Sequence, residues 1–326
     1  MAQVGVSAVG GACLTTAPSP TFGTCLPSTT TLTGTTTFGA SRLFGPLVFS
    51  DYSVGGGAWW SGISVLDTLI SQSGGGSLSF TLTVYDEAGV VKGVVNQRVS
   101  GDAGVVFWLG AQPNTDNRGI WFGGQLLVPL ERNFRGAFII DGGDVSGRST
   151  AVAIVHHTNY ARNADISYNA IRNEALSGPQ LVTTRPCAGV AMPLNTQLLG
   201  TECLYVGEVR KQANGPTTGV RLFNPTSAIA TIDVNYFDSS GFEWTDSRTT
   251  FQLSPFTTAT LFTGTDNRLP ALFDGSIVVS INVGGAVATG TVPSGITAIA
   301  NVVDYGVRNR DGSRAYNIPS NAGFSQ

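Results

Sequence analysis

Charge is the scarcest property of this sequence. Charged residues make up 12% of the 326 residues, the net charge at pH 7 is −3, and only Lys92 and Lys211 are lysines. Such a chain has no basic field that would attract a phosphate backbone, so the sequence predicts no nucleic-acid binding. A weakly charged surface suits a protein whose faces are covered by neighbours, or one that works outside the cell.

Long apolar runs are missing as well. No segment of the sequence reaches the ~18 apolar residues of a membrane-spanning helix, so no membrane span is predicted. Residues 1–18 lack the basic and apolar regions of a signal peptide, which leaves the route of export open. A virion protein needs no signal peptide and also fits this pattern.

The sequence also lacks a recognisable catalytic constellation. The only histidines are His156 and His157, and adjacent residues of a strand point to opposite faces. No GxSxG, HExxH or P-loop motif occurs, so we predict neither an enzyme nor a cofactor. Asp141 and Asp144 flank a Gly-Gly pair in a predicted turn, and a Ca²⁺ site there is the alternative to an ordinary Asp-Gly turn.

Cysteine is rare but regularly spaced. Each of the two pairs, Cys13 with Cys25 and Cys187 with Cys203, lies just ahead of one repeat and would close a short loop. Two local disulfides and an oxidising compartment are therefore predicted. Four cysteines allow three connectivities, and free thiols are the remaining interpretation.

Glycine, threonine and serine are abundant, and the apolar segments between them repeat. Five blocks recur in the same order, which indicates a duplication. The matched blocks are 62–67 with 219–224, 81–89 with 233–241, 134–140 with 273–279, 153–156 with 298–301, and the pairs 168–169 with 316–317. Short alternating strands with frequent turns predict an all-β chain of two tandem Ig-like antiparallel β-sandwich domains.

The predicted domain boundaries follow from these blocks. An extended Thr-rich N-terminal arm occupies residues 1–42, and the first sandwich residues 43–171. A linker occupies residues 172–203, and the second sandwich residues 204–326.

The blocks resemble a repeat module of uncharacterised secreted and surface proteins of filamentous bacteria. The resemblance rests on Asp-x-x-Gly turns, a Phe-x-Gly strand, an Ala-Ile-Val-Asn type strand and a closing Tyr. They lie at Asp86/Gly89 and Asp238/Gly241, at Phe134/Gly136 and Phe273/Gly275, at Asn301, and at Tyr168/Tyr316. It implies a β-sandwich fold and a location outside the cell, but no reaction.

Two features outside this pattern are candidate contact sites. Tryptophans are concentrated in the first repeat, and Trp59 and Trp60 are candidates for stacking on sugar rings, with core packing as the alternative. The uncharged arm is predicted to add a strand to the open sheet edge of a neighbour. It would otherwise fold back on its own sandwich or act as an inert linker. The arm residues are Thr29, Thr31, Leu32, Thr35, Thr37 and Phe38.

The sequence therefore predicts an extracellular structural protein that associates with itself. We expect a filament, sheath, surface-layer or adhesin subunit, with the sandwiches as rigid spacers and assembly through β-edges and the arm. The alternatives are a virion decoration or tail subunit, and a carbohydrate-binding module that contacts cell-surface glycans.

Overall fold

The computed structural model describes residues 42–53, 57–67, 77–100, 104–112, 117–144, 151–161, 164–172, 201–212, 215–283, 296–304 and 314–317. Most of these residues lie in β-strands, which confirms the predicted all-β class. The strands of the first repeat are β1 (Arg42–Ser50), β2 (Tyr52–Ser53), β3 (Ala58–Asp67), β4 (Ser77–Asp86), β5 (Val91–Ser100), β6 (Gly104–Ala111), β7 (Arg118–Phe122), β8 (Gln125–Pro129), β9 (Phe134–Asp144), β10 (Ala151–Asn159), β11 (Ala164–Asn169) and β12 (Ile171–Arg172).

The strands of the second repeat follow the same order with fewer additions. They are β13 (Thr201–Gln212), β14 (Pro216–Phe223), β15 (Ala230–Asp238), β16 (Thr249–Leu253), β17 (Thr258–Phe262), β18 (Leu272–Val283), β19 (Thr297–Asp304) and β20 (Arg314–Asn317). Two 3-10 turns, Thr245–Ser247 and Thr263–Thr265, flank β16 and β17.

Two antiparallel sheets form the first sandwich. Sheet I has the order β11-β10-β3-β6-β7-β8, with β2 paired to β3, and sheet II has the order β12-β1-β9-β4-β5. Their facing side chains fill one apolar core, to which Phe80, Phe107 and Phe138 contribute large buried rings. Alternate residues of a strand point to opposite faces, and the strict alternation of buried and more exposed residues in β10 and β11 follows from this.

The second sandwich is a single ladder bent into two halves. Strands β13 and β14 are joined by one residue pair, Lys211–Thr217, and the ladder divides there. We call the half β17-β14-β19-β20 sheet III and the half β16-β15-β18-β13 sheet IV. Their facing residues form a second core, which includes Val220, Ile232 and Ile277.

The strand register supports the duplication directly. Six pairings of the first repeat, β1–β9, β3–β6, β3–β10, β4–β5, β4–β9 and β10–β11, recur at the matched residues of the second. The equivalence joins β1 to β13, β3 to β14, β4 to β15, β5 to β16, β6 to β17, β9 to β18, β10 to β19 and β11 to β20. Examples are Gly62–His156 and Gly219–Asn301, Asp86–Gly136 and Asp238–Gly275, and Val155–Tyr168 and Ala300–Tyr316. The hairpin β7–β8 has no counterpart among the described residues between β17 and β18.

The two sandwiches stack face to face, so the four sheets lie in the order I, II, III, IV. Phe223 of sheet III is fully buried and packs against Phe44 and Ile139 on the outer face of sheet II. Ile299, on the same face of sheet III, reaches the core of the first sandwich. The two sandwiches, for which the sequence predicts a role as rigid spacers, are therefore in direct contact through sheets II and III.

The strands also adjust the predicted boundaries. Strand β13 begins at Thr201, so the second sandwich starts before residue 204 and includes Cys203, which pairs with Ser280. Strand β12 extends the first sandwich to Arg172. Of the predicted arm, only Arg42 lies within the described residues.

Candidate functional site

The outer face of sheet I is a candidate interaction surface. Leu66, Val106 and Ile154 come from three neighbouring strands and expose 44%, 56% and 42% of their area. Val106 and Ile154 flank Ser64 in one cross-strand row, and Leu66, two residues along β3 on the same face, lies in the next row. Single exposed apolar residues are ordinary, but a contiguous patch on a sheet indicates a binding partner.

A row of aromatic rings crosses the same face near one end. The ring centroid of Trp60 lies 6.4 Å from that of Trp108 and 5.3 Å from that of Tyr160. Gly110 allows the Trp60 ring to lie close to the sheet, because a Cβ at residue 110 would come within 2.4 Å of it. The outer face of sheet I therefore carries a row of aromatic rings and, further along the same strands, a group of exposed aliphatic side chains.

The two predicted sugar-stacking tryptophans point to opposite sides. Trp59 is buried in the core against Phe49, so the core alternative is correct for this residue. Trp60 lies on the outer face, where Trp108 and Tyr160 are its neighbours. Strand alternation indicates these orientations from the sequence. Gly62 and Ser64 lie on the same side of the strand as Trp60, whereas the apolar Ile63 and Val65 lie on the same side as Trp59.

His156 and His157 also separate, as the alternation predicts. His156 pairs with Gly62 on the outer face and occupies the position of Asn301, which confirms the sequence alignment. His157 is fully buried, and its Nδ1 lies 2.8 Å from Ser61 Oγ. Ser61 Oγ also accepts a hydrogen bond from Phe49 N–H. The Ser61–His157 pair is enclosed in the core, where it contributes to the packing of the first sandwich.

A polar contact between the sandwiches has no signal in the sequence. Arg221 of sheet III is 3% exposed, and its guanidinium lies 2.7 Å from the carboxylate of Glu87. Glu87 also binds Arg135 of its own sandwich, and its carbonyl accepts the N–H of Thr258. Burial lowers the pKa of Arg221 to about 10, and the neighbouring Glu87 opposes that shift. Glu87 is the second residue of an Asp-x-x-Gly turn, which gave no sequence signal for a partner.

The predicted turn at residues 141–144 is wrong. Asp141 and Asp144 lie at the end of β9 and pair with Thr81 and Leu78 of β4, because the two glycines continue the strand instead of reversing it. The Asp141 carboxylate accepts a charged hydrogen bond from Arg42. Among the described residues, no three His, Cys, Asp or Glu side chains gather in a way that would hold a metal ion.

Several predicted sites lie outside the residues that the structure describes. They are Cys13, Cys25 and Cys187, and the arm residues Thr29, Thr31, Leu32, Thr35, Thr37 and Phe38. The predicted disulfides and strand exchange therefore stay predictions. In the part of the chain that is described, no helix has the length and apolar character needed to cross a membrane.

Comparisons with known proteins do not place the chain in a family. No protein-family model and no curated protein matches it. One solved structure, the N-terminal CBM22-1–CBM22-2 tandem domain of Xyn10C from Paenibacillus barcinonensis, aligns with 7% identity and a TM-score of 0.18. The alignment covers 84% of this chain and 79% of that one. A TM-score this low does not establish a shared fold, so the β-sandwich assignment rests on the strand pairing.

Proposed function

We propose that this protein is an extracellular structural subunit that assembles with copies of itself. The carrying observation is the outer face of sheet I, where Leu66, Val106 and Ile154 form a group of exposed apolar side chains on a sandwich whose other sheet contacts the second sandwich. The low charge of the chain and its resemblance to secreted repeat modules support a location outside the cell. A filament, sheath, surface layer or adhesin would use such a subunit.

The exposed sheet faces are better suited to this self-assembly than the sheet edges at β5 and β8. Strand β5 carries Lys92 at the edge of sheet II, and this lysine forms ion pairs with Asp86 and Glu131. Strand β8, at the edge of sheet I, ends at Pro129. Lysine and proline at an edge both discourage the addition of a further strand. Strand addition by residues 1–42 is a separate part of the proposal, which deletion of residues 1–40 tests.

Light scattering of the full chain over a wide concentration range, followed by negative-stain microscopy, tests the proposal. We expect the average mass to rise above that of one chain and regular oligomers to appear. A single monomeric species at all concentrations, unchanged by deletion of residues 1–40, would contradict it. Microscopy of the native source separates a cell-surface assembly from a virion, the alternative location.

The aromatic row favours a second candidate, a carbohydrate-binding module. Three rings at 5.3 Å and 6.4 Å spacings present aromatic surface on which sugar rings stack. In affinity electrophoresis with neutral polysaccharides, Trp60→Ala and Trp108→Ala would abolish retardation under this candidate. Phe242→Ala, which removes an exposed ring on the second sandwich, is the matched control. Retardation that is absent, or equal in all variants, would exclude it.

A further inference from the structure

The junction between the two sandwiches defines a complementary pair of faces. It joins the outer face of sheet II, built from β1, β9 and β4, to the outer face of sheet III, built from β14 and β19, and the edge strands β11 of sheet I and β20 of sheet III also meet there. The duplication makes sheet I equivalent to sheet III, and sheet IV equivalent to sheet II. Each chain therefore has one further copy of both faces, on the outer sides of sheets I and IV.

The free face on sheet I retains the apolar positions of the junction. Register places Leu66 at the position of Phe223 and Ile154 at the position of Ile299. Phe223 and Ile299 are fully buried between the sandwiches, whereas Leu66 and Ile154 are exposed. The same two positions are therefore apolar in both repeats, but only one repeat has a partner for them.

The face on sheet IV retains the matching set. On sheet II the junction uses Phe44, Ile139 and Tyr85. The equivalent residues on sheet IV are Tyr205, Val278 and Phe237, and these three also form one apolar cluster. Phe237 and Val278 expose only 8% and 6% of their area, so the partly buried Tyr205 is the most accessible member of the cluster. The neighbouring positions on this face, such as Asn235 and Ser280, are polar, so the cluster is confined to these three residues.

Charge at the two free faces is also consistent with a second junction. The ion pair across the existing junction joins Glu87 to Arg221. The equivalent residues are Ser239 on the second repeat and Ser64 on the first, so both partners have been replaced by neutral residues together. A junction between the free faces would bury no unpaired charge at these positions, which is the most costly defect of an interface.

We propose that the outer face of sheet I of one chain packs on the outer face of sheet IV of a second copy, in the arrangement of sheets II and III within the chain. This inference rests on the proposed assembly function and names its interface. The contact is heterologous, because different faces meet. Repetition adds chains in one direction and gives an open stack, or a ring where the rotation closes.

The test uses the full chain with charges introduced on either free face. Leu66→Arg/Ile154→Asp alters the sheet I face at exposed positions, and Tyr205→Arg alters the sheet IV face at a half-buried one. Val94→Asp, at a comparably exposed residue on β5 of sheet II, is the control. Sedimentation velocity should show that the association constant of each face variant is at least ~30-fold lower than that of the wild type, which is the effect of losing an interface hot spot. The association constant of the control should be unchanged.

Mixing the two face variants makes the test independent of folding defects. Each variant retains the face that the other has lost, so an equal mixture should form dimers with one intact junction and no longer species. Wild-type association together with an unaffected Leu66→Arg/Ile154→Asp variant would overturn this interface while leaving the assembly function in place. A mixture without dimers would also overturn it.

Two further outcomes separate the proposals. A wild-type chain that stays monomeric overturns the proposed function and this inference together. A Leu66→Arg/Ile154→Asp variant that assembles normally, with polysaccharide binding lost in Trp60→Ala, would assign the face of sheet I to a glycan and reject a second copy as its partner.

Discussion

At the scale of single residues, His157 is the clearest difference between the repeats. The equivalent position in the second repeat is Val302, and both side chains are buried in the core of their sandwich. The serine beside the histidine has a fixed role, because Ser61 Oγ accepts Phe49 N–H in the first repeat as Thr218 Oγ1 accepts Arg210 N–H in the second. The histidine is therefore an addition to a motif that functions without it.

Replacement of His157 should reduce the acid sensitivity of the fold. Burial lowers the pKa of His157 from 6.5 to about 3, so between these values the unfolded chain binds a proton that the folded chain does not. Stability from the neutral histidine is complete above pH 6.5 and falls as the pH decreases toward 3, by at most about 1.4 kcal/mol per pH unit.

In His157→Val this slope should be absent, so the difference in unfolding free energy between variant and wild type should change with pH by that amount. Urea unfolding at pH 7, 6, 5 and 4 measures it, and His156→Asn, which introduces the residue of the second repeat on the outer face, is the control. Equal pH dependence of His157→Val and wild type would contradict the prediction.

At the scale of strands, the Phe-x-Gly motif explains part of the repeat. Gly136 lies opposite the end of β4, and Gly275 opposite the end of β15. A Cβ on these glycines would approach the carbonyl oxygens of Tyr85 and Phe237 to 1.9 Å and 2.0 Å. The phenylalanine two residues earlier fills the space beside each glycine. The motif is therefore a close approach of two strands that only glycine permits.

Alanine at these glycines should destabilise either sandwich. Gly136→Ala and Gly275→Ala force the paired strands apart, and we expect a loss of about 1–3 kcal/mol or more in the free energy of unfolding. Gly62→Ala is the matched control, because a Cβ there would meet no atom within 4 Å. Denaturant unfolding compares the three, and a Gly136→Ala chain as stable as Gly62→Ala would refute this account of the motif.

At the scale of the whole molecule, the buried junction couples the two sandwiches. Phe223 is fully buried against the outer face of sheet II, and the rings of Tyr85 and Phe256 stack beside it at 5.3 Å. An apolar contact of this kind is lost when either sandwich unfolds, so each sandwich stabilises the other.

Loosening this junction should separate the unfolding of the sandwiches. We expect one calorimetric transition for the wild type and two for Phe223→Ala, with a cost of about 3–5 kcal/mol for the lost ring. Phe242→Ala, at a 62% exposed ring, should change little. Two resolved transitions in the wild type would show that the junction does not couple them.

Local patterns in the sequence were enough to predict the duplication and the matched strands of the two repeats. Asp-x-x-Gly gives the same turn twice, because Gly89 and Gly241 both have positive φ, and the Asp86 and Asp238 side chains accept backbone N–H groups in each. Alternation also separated His156 from His157. The same rule, applied to Trp59 and Trp60, would have assigned one to the core and the other to the surface.

The sequence by itself determined the class of fold and the two equivalent sandwiches, because these depend on alternation and turns within a few residues. Only the tertiary structure decided which faces are covered. Phe223 and Leu66 occupy equivalent positions and are both apolar, yet one is buried and the other exposed. Their difference arises from contacts between sheets far apart in the chain, including Glu87 with Arg221, and no local pattern records such contacts.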